Sequence, residues 1–273
     1  MFSILIILLL FVDPLAGIQA INYNESSCYD NLTYPLNSSY EINLNNLLSN
    51  LVSQISTTKN GFLTHKQASQ NEQAPVYGLA LCRGDMKSQD CHDCVEMASK
   101  QIRSYCPRTI QAIIWKERCI IRYSNKSFFS LLQTQPNRTM YNNNYVTDNV
   151  DNWIKLLNDT LSEVVSKAAS NQSQNLYATK EAFFAPLNKS MYSMAQCIPD
   201  FTAENCTNCL DVAVSLLDTR VLAQGGIALT PSCTLRHELY PFYQILSVSP
   251  SLPPPPPISA ATIRGMFYIQ SFR

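Results

Sequence analysis

The side chains with the clearest capacity for chemistry are the cysteines, ten in a chain of 273 residues. Three of them follow the spacing C-x8-C-x2-C, and three more repeat it 115 residues later: Cys82, Cys91 and Cys94, then Cys197, Cys206 and Cys209. Thiols at such spacing can form disulfides, coordinate zinc or act as nucleophiles. Because the total is even and a secretory leader precedes them, we expect disulfides and neither a metal site nor a free thiol.

The residues around these cysteines also repeat. The segment Tyr77–Cys82 corresponds to Tyr192–Cys197, and Cys119–Arg122 corresponds to Cys233–Arg236. A long period that occurs only twice indicates two copies of one domain, because a solenoid is built from shorter and more numerous units. The sequence therefore predicts tandem domains, which we call module one and module two.

The first residues have the pattern of a secretory signal peptide. An apolar run from Ile4 to Val12 is followed by small residues that end at Ala20. This run is too short to span a bilayer as a permanent helix. We expect residues 1–20 to be removed, so that Ile21 begins the mature protein.

Sequons of the type Asn-x-Ser/Thr support export through the secretory pathway. N-glycans are predicted at Asn24, Asn31, Asn37, Asn125, Asn137, Asn158, Asn171 and Asn188. A further sequon at Asn205 is the weakest candidate because it adjoins Cys206. With the signal peptide, these sites predict a secreted glycoprotein of the extracellular space.

Charge and motif content exclude several classes of function. The 20 basic and 20 acidic side chains balance, and no Lys/Arg cluster offers a footprint for nucleic acid. After the signal peptide, no apolar run is long enough for a membrane span. His65, His92 and His237 are scattered and belong to no recognisable catalytic set, and Gly225-Gly226 indicates a turn before a strand. We therefore expect no cofactor, no metal and no enzymatic activity.

The helices expected to position these residues are amphipathic. We place module one at 21–135, module two at 141–246 and a proline-rich tail at 247–273. Each module opens with a helix whose apolar residues recur at three- and four-residue spacing. These residues are Leu44, Leu47, Leu48, Leu51, Val52 and Ile55 in module one, and Val150, Trp153, Ile154, Leu157, Leu161, Val164 and Val165 in module two. The C-x2-C pairs begin second helices, for which Ser88 and Thr202 are the predicted N-caps.

Short β-type runs lie between and after the helices. They cover 77–82, 112–115 and 119–123 in module one, and 192–197, 226–230 and 233–237 in module two. Each module is thus predicted to be an α+β unit with two helices laid across an antiparallel sheet. Trp115 and Trp153 are expected to fill cores, and the repeated Arg122 and Arg236 to make structural hydrogen bonds.

Comparison of the two modules predicts one disulfide directly. Module two has no cysteine equivalent to Cys28, and Val221 occupies the position equivalent to Cys106. Because two cysteines are missing together and the even count is kept, they most simply form one bond, Cys28–Cys106. Three pairings remain open for the four shared cysteines. Cys82–Cys91 with Cys94–Cys119 would tie helix to strand, whereas a Cys91–Cys94 bridge would be strained and easily reduced.

With this spacing, the chain resembles the plant cysteine-rich repeat secretory proteins, which carry tandem ginkbilobin-type (stress-antifungal) domains. The segments 231–236 and 240–243 are similar to the end of the second domain in cysteine-rich receptor-like kinases. The resemblance implies that each module packs two helices on a five-stranded antiparallel sheet. It also implies the bridges Cys28–Cys106, Cys82–Cys91, Cys94–Cys119, Cys197–Cys206 and Cys209–Cys233.

The resemblance further suggests where a ligand could bind. Ginkbilobin resembles a mannose-binding lectin with an Asn, an Arg and a Glu in its site. The equivalent positions here are Tyr29 for the Asn, Ile113 and Ile227 for the Arg, and Ser124 and Glu238 for the Glu. Only Glu238 matches, and we expect it to be a surface charge.

The sequence therefore favours a non-enzymatic binding or signalling module that recognises an unidentified extracellular protein or glycan in plant stress or defence. The alternatives are a carbohydrate-binding antifungal lectin and a truncated ectodomain of a cysteine-rich receptor-like kinase.

Overall fold

The computed structural model of the chain describes residues 23–69, 73–171 and 175–244. The predicted signal peptide at 1–20 and the proline-rich tail at 247–273 lie outside the described residues. Within them, the order of helices and strands in module one is repeated in module two.

Module one consists of two helices and five strands. Its elements are β1 (Asn24–Thr33), α1 (Ser39–Ile55), β2 (Phe62–Gln67), β3 (Val76–Cys82), α2 (Ser88–Tyr105), β4 (Thr109–Lys116) and β5 (Cys119–Ser124). The strands pair in the order β1-β4-β5-β3-β2, and every pairing is antiparallel.

Module two has the same topology. Its elements are β6 (Arg138–Tyr141), α3 (Val150–Ser170), β7 (Tyr177–Phe184), β8 (Lys189–Cys197), α4 (Ala203–Leu216), β9 (Gly226–Leu229) and β10 (Cys233–Glu238). The strands pair antiparallel in the order β6-β9-β10-β8-β7. The predicted fold class, two tandem α+β modules with two helices on a five-stranded antiparallel sheet, is confirmed.

The helices begin where capping chemistry allows, with one departure from the prediction. Thr202 caps α4 as predicted, because its hydroxyl oxygen accepts a hydrogen bond from the Asn205 amide at 3.2 Å. The prediction for Ser88 is wrong. Lys87 is the last extended residue before α2 and supplies no side-chain cap, so Ser88 is already the first helical residue. The start of α2 therefore keeps backbone N–H groups that no cap satisfies.

One face of each helix is buried against its own sheet. In α1 the buried apolar residues recur at helical spacing and are Leu44, Leu47, Leu48, Leu51 and Ile55. Val52 is half-buried. In α3 the fully buried Trp153 packs edge-on against Phe184 of β7, with ring centroids 5.2 Å apart. These faces form the two principal cores of the protein.

The opposite faces of the two sheets pack against each other. Ile113 and Trp115 of β4 meet Ile227 and Leu229 of β9 in a third apolar cluster, and all four are fully buried. Successive strand residues point to opposite faces, so β4 and β9 are apolar on both sides. This explains the unbroken apolar runs in the sequence and places Trp115 between the modules, whereas Trp153 fills the core of module two.

Hydrogen bonds reinforce the contact between the sheets. The indole Nε1 of Trp115 donates to the Thr230 carbonyl at 2.9 Å, and the Gln196 side chain donates to the Cys82 carbonyl at 3.0 Å. Both bonds are buried and each joins one module to the other. Buried polar groups that are satisfied across an interface fix its register, because separating the sheets would leave them unpaired.

Candidate functional site

Five disulfides join the ten cysteines. The pairs are Cys28–Cys106, Cys82–Cys91, Cys94–Cys119, Cys197–Cys206 and Cys209–Cys233. These are the pairs that the repeat and the family resemblance imply. In each module the second helix is bonded to two strands of the sheet, so the C-x2-C spacing serves to anchor a helix. No free cysteine is found, and in the described ranges no cluster of His, Cys, Asp and Glu is arranged to hold a metal.

The extra disulfide of module one coincides with a longer helix. Helix α2 has 18 residues and ends beside Cys106, whereas α4 has 14 and is followed by a short 3-10 turn, Thr219–Val221. Cys28 lies in β1, at the edge of the sheet, so its bridge to Cys106 ties the end of α2 to that edge. Module two has no equivalent tie.

The positions equivalent to the lectin site do not form a polar cluster. Ile113 and Ile227 are fully buried between the sheets, where each contributes to the apolar contact of the modules. Tyr29 lies half-buried on β1 and Ser124 is buried on β5. The sheet faces that could present such a site are therefore occupied by the packing of one module on the other.

The expectation that Glu238 is a surface charge is wrong. Its side chain is fully buried and accepts hydrogen bonds from Arg236 at 3.1 and 3.2 Å and from Asn142 at 3.3 Å. Gly225 approaches so closely that any β-carbon there would collide with the Glu238 carboxylate. Burial raises the pKa of Glu238, and the Arg236 guanidinium opposes that shift. Arg236 and Glu238 are two residues apart on β10, so their side chains lie on the same face of the sheet. This spacing was the signal in the sequence that could have predicted their ion pair.

Arg236 also connects the modules. Its guanidinium lies 3.6 Å from the Glu117 carboxylate of module one and stacks at 4.2 Å on the Phe242 ring. Near Glu117, Arg83 pairs with Asp85 at 2.6 Å. The result is a chain of alternating charges that crosses the interface, and in such a chain each buried charge has an opposite neighbour.

Arg122, the module-one equivalent of Arg236, is buried in a different environment. Its guanidinium stacks at 4.0 Å on Phe128 and donates to the side chain of Gln133. In the part of the chain that the structure describes, no carboxylate pairs with it, and burial lowers its pKa. Both arginines make internal contacts, as the sequence predicted.

The three histidines do not assemble. His65 lies on β2 beside Asn50, His92 lies on α2 beside Asp93, and His237 is buried on β10. No two of them share a cavity among those described.

The predicted glycosylation sites lie in several environments. Asn24, Asn37, Asn158 and Asn188 are exposed, whereas Asn125, Asn137 and Asn171 are half-buried. Asn31 lies in β1, and Asn205 is half-buried in the first turn of α4. Their glycosylation stays a prediction.

A cleft of about 970 Å³ opens where the modules meet, and we call it the junction cleft. Its lining comes from the turn after β3, the end of α3, the strand β7 and the segment after β10. The side chains that define it are Asp85, Lys167, Tyr177, Thr179, Lys180 and Tyr243. Gly84 lies in direct contact with the Tyr177 ring, so a β-carbon at Gly84 would clash. Only the absence of a side chain at this position lets the two modules close at this corner.

Three of the four charged side chains that line the junction cleft are held in ion pairs, and the fourth, the exposed Glu181, forms none with the described residues. Lys167 and Lys180 both lie 2.7 Å from Glu163, and Asp85 is paired with Arg83 and accepts a hydrogen bond from the Gln244 amide at 2.8 Å. The Tyr177 ring lines the cleft, but its hydroxyl is buried and has no hydrogen-bond partner among the described residues. Burial raises the pKa of this hydroxyl. The cleft is thus suited to binding a polar ligand. Sequence reasoning missed it, because its residues belong to different modules and share no motif.

Within residues 23–69, 73–171 and 175–244, no helix combines the length and the apolar composition that crossing a membrane requires.

Comparison with known proteins gives one consistent family. Residues 27–126 and 136–240 each match the model of the salt stress response/antifungal family. The cysteine-rich receptor-like protein kinase 25 of Arabidopsis thaliana is 35% identical over 250 residues, which cover 87% of this chain and 36% of the kinase. The chain thus spans about a third of the length of such receptor kinases. The cysteine-rich repeat secretory protein 38 of the same plant is 34% identical over 206 residues, 74% of this chain and 78% of that protein.

Solved structures agree on the fold. The tandem DUF26 ectodomain of the Arabidopsis thaliana cysteine-rich receptor-like protein PDLP8 matches with a TM-score of 0.67 at 24% identity, over 80% of this chain and 98% of that one. The tandem DUF26 ectodomain of PDLP5 matches with a TM-score of 0.64 at 25% identity, over 80% and 100%. The family resemblance seen in the cysteine pattern is confirmed: the chain belongs to the salt stress response/antifungal family, whose domain it carries as a tandem pair.

Proposed function

We propose that this protein is a secreted, extracellular, non-enzymatic recognition module that binds a protein or small ligand during plant stress or defence signalling. Its relatives include a secretory protein and receptor-like kinases. The chain spans about a third of the length of such a kinase. The proposal does not depend on whether the module acts alone or as part of a larger receptor.

The observation that carries the proposal is the junction cleft. In each module one face of the sheet is covered by the helices and the opposite face packs against the other module, so neither described sheet has a free face for a ligand. The junction cleft is open, polar and built from both modules. Concave sites with a few convergent polar groups are the usual places for ligand binding. A ligand here would contact both modules at once, so its affinity would depend on their relative position.

The lining of the cleft favours binding over catalysis. General acid–base and nucleophilic catalysis rely on unpaired groups poised to exchange protons or attack. Here Asp85, Lys167 and Lys180 are held in ion pairs. The exposed Glu181 forms no ion pair with the described residues, and neither histidine nor cysteine accompanies it among the described residues of the lining. Hydroxyl and amide groups, with the Tyr177 and Tyr243 rings, remain to contact a ligand.

Binding of radiolabelled secreted protein to plant cell walls and to wall-free protoplasts tests the proposal. We expect saturable binding to one of the two, reduced at least about tenfold by Thr179→Arg, which places a long cation in the cleft. Lys189→Glu, an exposed change on the same hairpin but outside the cleft, is the matched control and should bind like the wild type. Saturable binding that Thr179→Arg leaves unchanged, or binding that never saturates, would contradict recognition at this site.

A further inference from the structure

Module one carries a groove that module two lacks in this form. The groove has a volume of about 960 Å³ and lies between the outer faces of α1 and α2. On α1 it is lined at helical spacing by Glu41, Asn45, Leu48 and Val52, and α2 contributes His92 to Arg103 on the other side. Twelve residues of helix span roughly 18 Å, which is the length of a short helical peptide.

The floor of the groove is apolar. Leu48 and Tyr34 are almost fully buried at its base and Val52 is half-buried beside them. Leu36, also in the lining, has 66% of its surface exposed. An exposed leucine next to buried apolar residues at the base of a groove is a feature of surfaces that bind a partner.

The rim of the groove has one uncompensated charge. Glu96 pairs with Lys100 at 2.7 Å, and Glu41 lies 3.8 Å from Arg103, so these four charges balance. Arg108 is exposed, and no carboxylate among residues 23–69, 73–171 and 175–244 forms an ion pair with it. The groove therefore ends in a single free cation.

The backbone and the extra disulfide hold this cation in place. Arg108 has a left-handed φ of 59°, and its carbonyl accepts a hydrogen bond from the Tyr34 amide at 2.9 Å. Such a conformation is costly for a residue other than glycine and persists only where its surroundings enforce it. Cys106, two residues earlier, is bonded to Cys28. The bridge that distinguishes module one therefore supports the charged end of its groove.

The equivalent groove of module two has a different chemistry. It is smaller, about 560 Å³, and among the described residues that line it there is no basic side chain. Asp211 contributes an acid, and the predicted glycosylation site Asn158 lies in the lining. A partner that needs an apolar floor ending in a cation would distinguish the two modules.

We propose that the groove between α1 and α2 binds an amphipathic helical segment of a partner protein, with apolar side chains on Leu36, Leu48 and Val52 and a carboxylate directed at Arg108. A helix is the fitting occupant because the groove is walled by two helices and offers no strand edge for an extended chain. The unpaired Arg108 sets the direction of the segment, since an acidic end beside it gains an ion pair. The proposal is independent of the junction cleft.

A displayed library of random peptides of about 15 residues tests this inference, panned on the secreted protein. A glycan on Asn37 would stand beside Leu36, so Asn37→Gln protein is panned in parallel. We expect peptides with apolar residues at i, i+3, i+4 and i+7 and an acid near one end. Affinity, measured by interferometry on synthetic peptides, should fall at least about tenfold with Arg108→Glu and with Val52→Asp.

Two control variants separate this site from the rest of the molecule. Asp211→Lys in the groove of module two and Thr179→Arg in the junction cleft should leave peptide affinity unchanged. The double change Cys28→Ala/Cys106→Ala should weaken binding while the protein still folds, because it releases the end of the groove. Peptides that bind Arg108→Glu as well as the wild type, peptides without the apolar spacing, or no enrichment on either protein would overturn the proposal.

Discussion

Module one and module two each bury an arginine at the equivalent position of equivalent strands, Arg122 on β5 and Arg236 on β10, but the surroundings of the two side chains differ. Arg236 lies against Glu238 and near Glu117. Arg122 stacks on Phe128, and among the described residues its side chain donates a hydrogen bond only to the Gln133 amide oxygen. A carboxylate neutralises a buried guanidinium but becomes a buried charge itself. An aromatic face attracts the cation through its quadrupole and leaves no charge behind. The same position can thus be robust in one module and vulnerable in the other.

The modules also differ in covalent support. Cys28–Cys106 closes a loop of 78 residues in module one, and module two has no counterpart. In the chain-entropy account, a bridge across so long a loop restricts the unfolded chain more than the short bridges do. Module one therefore relies on a covalent constraint, and module two relies on a buried ion pair.

The largest expected effect comes from removing one arginine at a time. Arg236→Met should lower the free energy of unfolding by about 3–5 kcal/mol, because it leaves Glu238 buried without its partner. Arg122→Met should cost roughly 1 kcal/mol or less, since no buried charge is orphaned. Urea unfolding of both variants measures the difference. Adding Glu238→Gln to Arg236→Met should recover part of the loss, and equal costs for the two single changes would remove the distinction between the modules.

Breaking the long-loop disulfide should have the next largest effect. The double change Cys28→Ala/Cys106→Ala should destabilise module one by roughly 2–5 kcal/mol and bring it towards the stability of module two. Cys28→Ala alone should be secreted less well than the double variant, because it leaves Cys106 as a thiol open to wrong pairing. Secreted yield and thermal melting test both statements. A single variant that is secreted and melts like the wild type would show that the bridge carries no structural load.

Acid should affect module two through His237. Burial lowers the pKa of His237 to about 4 from an ordinary 6.5, and the neighbouring Arg236 charge acts in the same direction. Between these two pH values His237 binds a proton in the unfolded chain but not in the folded chain. The free energy of unfolding therefore decreases as the pH falls from about 6.5 to about 4. A shift of this size corresponds to about 3 kcal/mol. Module one has Tyr123 at this position, and burial raises its pKa to about 12, so it does not titrate in this range.

Unfolding of His237→Gln at pH 7 and pH 4 isolates this contribution. The variant should lose less stability on acidification than the wild type, whereas His92→Gln on the surface of α2 should behave like the wild type. An identical pH profile for wild type and His237→Gln would mean that another group governs the acid response.

The smallest expected difference concerns the starts of the equivalent helices α2 and α4. Thr202→Ala should destabilise module two by about 1 kcal/mol because it removes the cap of α4. Lys87→Ser should stabilise module one by up to about 1 kcal/mol by supplying the cap that α2 lacks. Thermal melting of the two variants should show shifts of opposite sign. A loss of stability in Lys87→Ser would indicate that the lysine makes a contact worth more than a cap.

The sequence predicted the central strands well and the edge strands poorly. The strands β3, β5, β8 and β10 lie inside the sheets, and most of their residues are buried. β3 and β5 are rich in apolar residues, whereas β8 and β10 contain more polar residues and were predicted because they repeat the segments around the cysteines of module one. The edge strands β1, β2, β6 and β7 were not predicted. They carry polar and charged residues such as Lys66, Lys180 and Glu181, which an edge exposed to water tolerates and uses against unwanted pairing.

The site was harder to predict than the fold. The Cys28–Cys106 disulfide followed from comparing the two modules, and the other four pairs were implied by the family resemblance. Both depend on properties of the linear chain. Glu238 is buried because other parts of the protein pack over β10. The sequence of one strand does not show which of its faces will be covered in this way. The junction cleft combines Asp85 with Tyr177 and Tyr243, which only the packing of two modules brings together.

The positions of the two tryptophans make the protein its own optical reporter. Trp115 lies in the contact between the sheets with its indole bonded to the Thr230 carbonyl, and Trp153 lies in the core of module two. Tryptophan emission shifts to longer wavelength when the ring meets water, so the two rings respond to different events. With Trp153→Phe, Trp115 becomes the single emitter, and its red shift records separation of the modules. With Trp115→Phe, the emission of Trp153 follows the unfolding of module two.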